Sequence, residues 1–122
     1  LRFLELGGQV RMEVMNSALI CRLLESSAPI LTGLSATFLY SARREIPATD
    51  RPDDIRGEPV GHFVVLCGHL SGSDQVLVAD PYRDNPLSNR RIYPVAMDRL
   101  ITSILLGVLT YDGNLLVIRP RE

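Results

Sequence analysis

Residues 61 to 82 read GHFVVLCGHLSGSDQVLVADPY, and the fold depends on how this stretch is parsed. Gly61 opens a run in which Phe63, Val64, Val65, Leu66 and Cys67 are the aromatic, β-branched and apolar types that favour a buried strand. A second run, Gln75 to Ala79, is closed by Asp80 and Pro81. Between the two, Ser71, Gly72, Ser73 and Asp74 supply turn chemistry. A hairpin symmetric about Ser71 sets His62 opposite Asp80. Direct cross-strand partners share a face, with Cβ atoms roughly 4.5–5.5 Å apart. A carboxylate there can accept a hydrogen bond from one imidazole nitrogen and leave the other free to act as a base. The pairing is conditional on register, because a slip of one residue sends the two side chains to opposite faces. The plain alternative is a His that starts a strand and an Asp-Pro step that ends one, with no chemistry attached.

A chain of 122 residues makes one domain, able to bury roughly two thirds of its unfolded surface without a metal or disulfide staple. Its net charge of -1 offers no basic face for nucleic acid. All thirteen basic residues are Arg, which excludes Schiff-base chemistry and a P-loop lysine. Cys21 and Cys67 both lie in apolar runs, without the spacing of a zinc site or a disulfide framework. The expectation is a cytoplasmic setting with no metal and no cofactor. No apolar stretch approaches the 18 or more residues of a membrane helix, and neither a signal peptide nor a membrane partner is expected. Leu1 in place of Met gives the expectation of a piece of a longer protein.

Residues 1 to 6 alternate well enough to predict a short strand, ended by Gly7-Gly8. Met12, Met15, Leu19 and Leu23 recur at helical spacing and predict a helix from about Val10 to Ser26, with Cys21 off that stripe as a small apolar filler. Pro29 to Leu34 read as a buried strand, and residues 35 to 42 as a strand extension or a short helix. Residues 43 to 59 hold four Arg, five acids and three Pro, and read as a long polar loop. Such a loop serves as a lid over His62 or as a solvated surface segment. Arg91 to Val95 fit an edge strand. Met97, Leu100, Ile101, Ile104 and Leu105 fit a helix capped by Gly107, and Asp112-Gly113 signals a hairpin turn near the end. The whole reads as α+β.

The stretches PILTGLS, GHFVVLCG and QVLVADPY, in that order, resemble the C-terminal half of the bacteriocin-processing, double-glycine-leader cysteine peptidases and their stand-alone relatives. The resemblance covers about residues 10 to 120. It implies a papain-like fold, with His62 as general base and Asp80 as the residue that orients it. The family's nucleophile is a Cys in a Cys-Gly context at a helix start, and no such motif stands here. Cys21 matches the helix before the Pro-Ile strand, and Cys67 is five positions from His62, on the opposite face of the strand. The resemblance thus implies a cysteine peptidase-like domain that acts on a peptide or isopeptide bond in a peptide or protein substrate. Its nucleophile would lie upstream, where an attached domain could also stand. The fragment itself is expected to be inactive. The alternative is a non-catalytic peptide-binding module of the same fold. His62 and His69 are expected on opposite strand faces, unable to share a metal without a bulge. Gly7-Gly8 resembles the cleaved leader superficially and reads as a turn.

Overall fold

The computed structural model describes residues 1–107 and 113–121. In chain order the elements are α1 (Arg2–Glu5), α2 (Ser17–Glu25), β1 (Ile30–Ser35), α3 (Ala36–Leu39), β2 (Glu45–Ile46), β3 (Arg51–Pro52), β4 (Gly61–Leu70), β5 (Gln75–Ala79), β6 (Ile92–Ala96), α4 (Met97–Leu106) and β7 (Leu115–Val117). Five strands form one antiparallel sheet in the order β6-β5-β4-β1-β7, so the protein is α+β with the central hairpin at the middle of its sheet. Alternate residues point to one face, where Ile30, Leu34, Val64, Leu66, Val76, Val78 and Val95 meet Ile20, Leu39, Met97, Leu100 and Ile104 from the helices. Among the described residues no helix is long and apolar enough to cross a membrane.

The hairpin register differs from symmetry about Ser71. Leu70 pairs with Gln75, which centres the turn between Gly72 and Ser73. Carried down the strands unchanged, that register would bring Asp80 against Val65, facing away from His62. A bulge between Leu66 and Gly68, with Cys67 as the extra residue, resets the pairing to Leu66 with Val78 and Val65 with Ala79. Asp80 therefore follows in line with Val64, one side-chain step from His62 on the same face. The two are diagonal neighbours rather than direct partners, a separation of roughly 7–8 Å between backbones that an imidazole spans. The same bulge turns His69, paired with the buried Val76, to the core side, correcting the expectation that His62 and His69 face opposite ways.

Elsewhere the structure corrects the N-terminal third. Residues 1 to 6 form a single helical turn rather than a strand, with no buried residue. Gly7, at φ +91°, ends that turn in the left-handed region, and Gly8 N–H donates to Phe3 C=O at 2.8 Å. The second helix starts at Ser17 rather than Val10. Asn16 is extended and caps it, accepting from Leu19 N–H at 2.9 Å. Met12 is 96% exposed and Met15 only partly buried against the core, so the periodic stripe is not fully covered until Leu19 and Ile20 reach the sheet. Cys21 packs beside this core. Residues 35 to 42 resolve as the short helix α3, capped by Ser35 Oγ on Phe38 N–H. Gly107 ends α4 without a left-handed turn. A Cβ there would stand 3.0 Å from Leu34 Cα, so the residue is needed for close approach. The hairpin signal at Asp112-Gly113 includes a residue outside those described.

Residues 43 to 59 contain a folded ribbon rather than a structureless loop. β2 pairs with β3, Glu45 and Glu58 exchange backbone bonds of 3.1 and 2.8 Å, and Asp53 caps the amides of Ile55 and Arg56 at 2.9 Å each. Asp54 joins Arg43 Nε at 2.9 Å. Short-range caps of this kind order a segment that has almost no core of its own. Gly57 closes it against backbone: a Cβ there would collide with the Asp53 carbonyl and lie 2.7 Å from Glu45 N. Gly57→Ala should therefore loosen the ribbon, at a cost of about 1–3 kcal/mol. Hydrogen exchange should show the Glu45 and Glu58 amides losing protection. Unchanged protection would mean that the ribbon is held by something other than this approach.

Candidate functional site

The site lies where the central hairpin, α3 and β6 meet. Asp80 follows β5 directly and its own amide continues the ladder to Arg91 C=O at 2.7 Å. Pro81 ends the strand, and the chain turns so that Tyr82 N–H donates back to Asp80 Oδ1 at 2.8 Å, an Asx turn. The loop that follows is held by buried Asn85, which donates to the carbonyls of Tyr82 and Arg90 and accepts from the amides of Leu87 and Ser88.

The Asp80 side chain has no exposed surface. It accepts from His62 Nε2 at 2.7 Å and the Tyr82 amide on Oδ1, and from Tyr40 Oη at 2.5 Å and Tyr93 Oη at 2.6 Å on Oδ2. Burial pushes the carboxyl up, but these four bonds outweigh it and hold the group below the usual carboxylate value. Burial and the bond to Asp80 push both tyrosine hydroxyls up, so they remain donors at neutral pH. An ionised Asp80 only accepts, so Nε2 carries the proton of neutral His62 and Nδ1 presents its lone pair. The imidazole is 23% exposed and lines a cavity of about 460 Å³, with Tyr40 tilted against it at 6.2 Å between ring centres and Tyr82 at 6.3 Å from Tyr40. The result is an oriented imidazole at the wall of a cleft, whose Nδ1 has no hydrogen-bond partner among the described residues.

The structure thus brings the two expected residues, His62 and Asp80, into a direct hydrogen bond. Tyr40 and Tyr93 were not singled out from the sequence. One ends a four-residue helix and the other sits on the neighbouring strand, opposite Val78, so only tertiary structure unites them. Neither cysteine lines the cavity. Cys67 is exposed, with Sγ on Leu77 C=O at 3.4 Å. Cys21 has an imidazole neighbour: its Sγ is 3.6 and 3.7 Å from the two ring nitrogens of His69, whose Nε2 is 3.3 Å from Asp74 Oδ1. Burial, Asp74 and Glu25 push this thiol up and keep it protonated, the reverse of an activated nucleophile. Among the described residues no group of three or more His, Cys, Asp or Glu side chains could hold a metal.

Comparison of the chain with protein-family models, with curated proteins and with solved structures finds no match.

Tyr93→Phe should cost about 1.5–3 kcal/mol at pH 7, the range for a hydrogen bond to a charged group. Because the two tyrosines are raised in the fold, their contribution is whole below the unfolded value of about 10 and is lost as pH rises beyond it. Asp80 is lowered, so its contribution is whole above about 4 and is lost on further acidification. Urea unfolding across pH 6 to 12 should show a shallower alkaline fall in Tyr93→Phe than in the parent. Equal slopes would detach Tyr93 from the carboxylate.

Proposed function

We propose that the chain is a cysteine peptidase-like domain of papain-like fold, related to the bacteriocin-processing peptidases, in which His62 is the general base and Asp80 its orienting partner. The observation that carries this reading is the 2.7 Å bond from His62 Nε2 to a carboxylate wholly removed from water, made by an imidazole that lines the cavity. In such a site Nδ1 takes the proton of a thiol as its sulfur attacks the substrate carbonyl. The imidazolium, steadied by Asp80, then gives that proton to the departing amine. The antiparallel sheet with helices on one face suits the fold. The thiol that His62 would serve is neither Cys21 nor Cys67.

That last point also favours a second reading, a peptide-binding module of the same fold that holds a peptide without cutting it. Peptide hydrolysis separates the two. The 122 residues alone should show no thiol-dependent cleavage. Expressed with any coding sequence that precedes them, they should cleave a peptide in an iodoacetamide-sensitive reaction. His62→Ala should abolish that reaction and Asp80→Asn should slow it by a factor on the order of 10² to 10⁴, while Cys21→Ala leaves it unchanged. Peptide binding without cleavage in the longer chain would favour the module, and loss of cleavage in Cys21→Ala would overturn the site assignment.

A further inference from the structure

Residues 9 to 15 read QVRMEVM and belong to no helix or strand. Their alternation is nevertheless that of a strand, with Val10, Met12 and Val14 at one parity and Gln9, Arg11 and Glu13 at the other. The polar side chains keep to one side of the segment. Arg11 Nη2 donates to Gln9 Oε1 at 3.0 Å, and Glu13 Oε1 accepts from Arg22 of α2 at 2.8 Å. The apolar set is left open, with Val10, Met12 and Val14 72%, 96% and 76% exposed. Among the described residues the backbone N–H and C=O groups of 9 to 15 make no hydrogen bond. Bare backbone beside bare apolar side chains is a template for another strand.

We propose that this segment pairs with itself: residues 9–15 of two copies of the chain form an antiparallel ribbon about a two-fold axis at Met12, which joins the protein into a dimer. The sequence is its own complement in that register. Val10 meets Val14 of the second copy, Met12 meets Met12, and Arg11 meets Glu13 on both sides of the axis. Glu13 uses Oε1 for Arg22 and keeps its other oxygen for the incoming Arg11. A shift of two residues is opposed by charge, because it sets Arg11 opposite Arg11 or Glu13 opposite Glu13. A slip of one residue sets Arg11 and Glu13 against apolar partners. The edges of the folded sheet fit the segment less well, since β6 is interrupted by Pro94, which has no N–H, and β7 has only three residues. A ribbon of this length is smaller than the standard interface of roughly 800 Å² per partner, so the dimer is a weak one, with a Kd on the order of 0.1 mM. The segment shares no residue with the cavity wall at His62.

Sedimentation velocity of the 122-residue chain, from well below that constant to well above it, tests the proposal. The parent should pass from monomer to dimer, and its concentration-dependent amide shifts should fall on residues 10 to 14. Arg11→Glu and Glu13→Arg each set like charges across the ribbon and should weaken self-association by about tenfold or more. Both positions are exposed and the Glu13–Arg22 pair lies at the surface, so each variant should keep its fold. Mixed in equal amounts, the two variants should associate as tightly as the parent, because every like-charge contact of the two homodimers becomes an Arg–Glu pair in the mixed dimer. A parent chain still monomeric at about ten times that constant overturns the proposal. So does a dimer that neither substitution weakens, or a mixture that associates no better than either variant alone. Shifts confined to Ile92–Ala96 or Leu115–Val117 would place the contact at a sheet edge and overturn it as well.

Discussion

A carboxylate stripped of water costs several kcal/mol unless its acceptor sites are filled, and Asp80 fills them with one imidazole, two phenols and a backbone amide. Each donor comes from a different place: β4, the end of α3, β6 and the turn after Pro81. The need to satisfy one buried charge therefore fixes the relative positions of four segments. It also decides the state of His62, since only a proton on Nε2 makes that contact favourable. Around this centre the supports are themselves tied down. Arg99 of α4 reaches the carbonyls of Phe38 and Leu39 and the hydroxyl of Ser41, which holds α3 and its terminal Tyr40 against the sheet.

The register of the central hairpin carries this arrangement, and it illustrates what sequence does and does not reveal. The runs 61 to 67 and 75 to 79 announce strands by composition, and Ser-Gly-Ser-Asp announces the turn between them. That His62 and Asp80 share a face was legible too, although by a route that differs from the actual one. Symmetry about Ser71 makes them direct partners, whereas the real turn is centred further on and a bulge at Cys67 restores the parity. A bulge depends on how β5 packs against both neighbours and has no local signature in Leu-Cys-Gly, so neither it nor the inward turn of His69 could be read from residues alone.

Periodicity failed where burial was lacking. Met12 and Met15 continue the helical spacing of Leu19, but a stripe supports a helix only where it is covered, and here Met12 is 96% exposed and Met15 only partly buried. In residues 43 to 59 composition pointed to irregular chain because few apolar side chains were present, while the order comes from Asp53 and Asp54 capping amides and from a glycine against backbone. By contrast the spacing of Met97, Leu100 and Ile104 identified α4 correctly, since all three are buried. The tyrosines of the site belong to the unreadable class: their function is a distance to Asp80, and the chain brings them there from 40 residues before it and 13 after.

The protonation pattern of His62 tests the central claim most directly. Long-range proton–nitrogen correlation spectra at neutral pH distinguish a protonated ring nitrogen from one with a free lone pair. With Asp80 ionised and accepting at 2.7 Å, His62 should appear as the Nε2–H tautomer with Nδ1 unprotonated, and Asp80→Ala should let the tautomers mix. A proton resident on Nδ1 in the parent protein, or a spectrum unchanged by Asp80→Ala, would contradict the account.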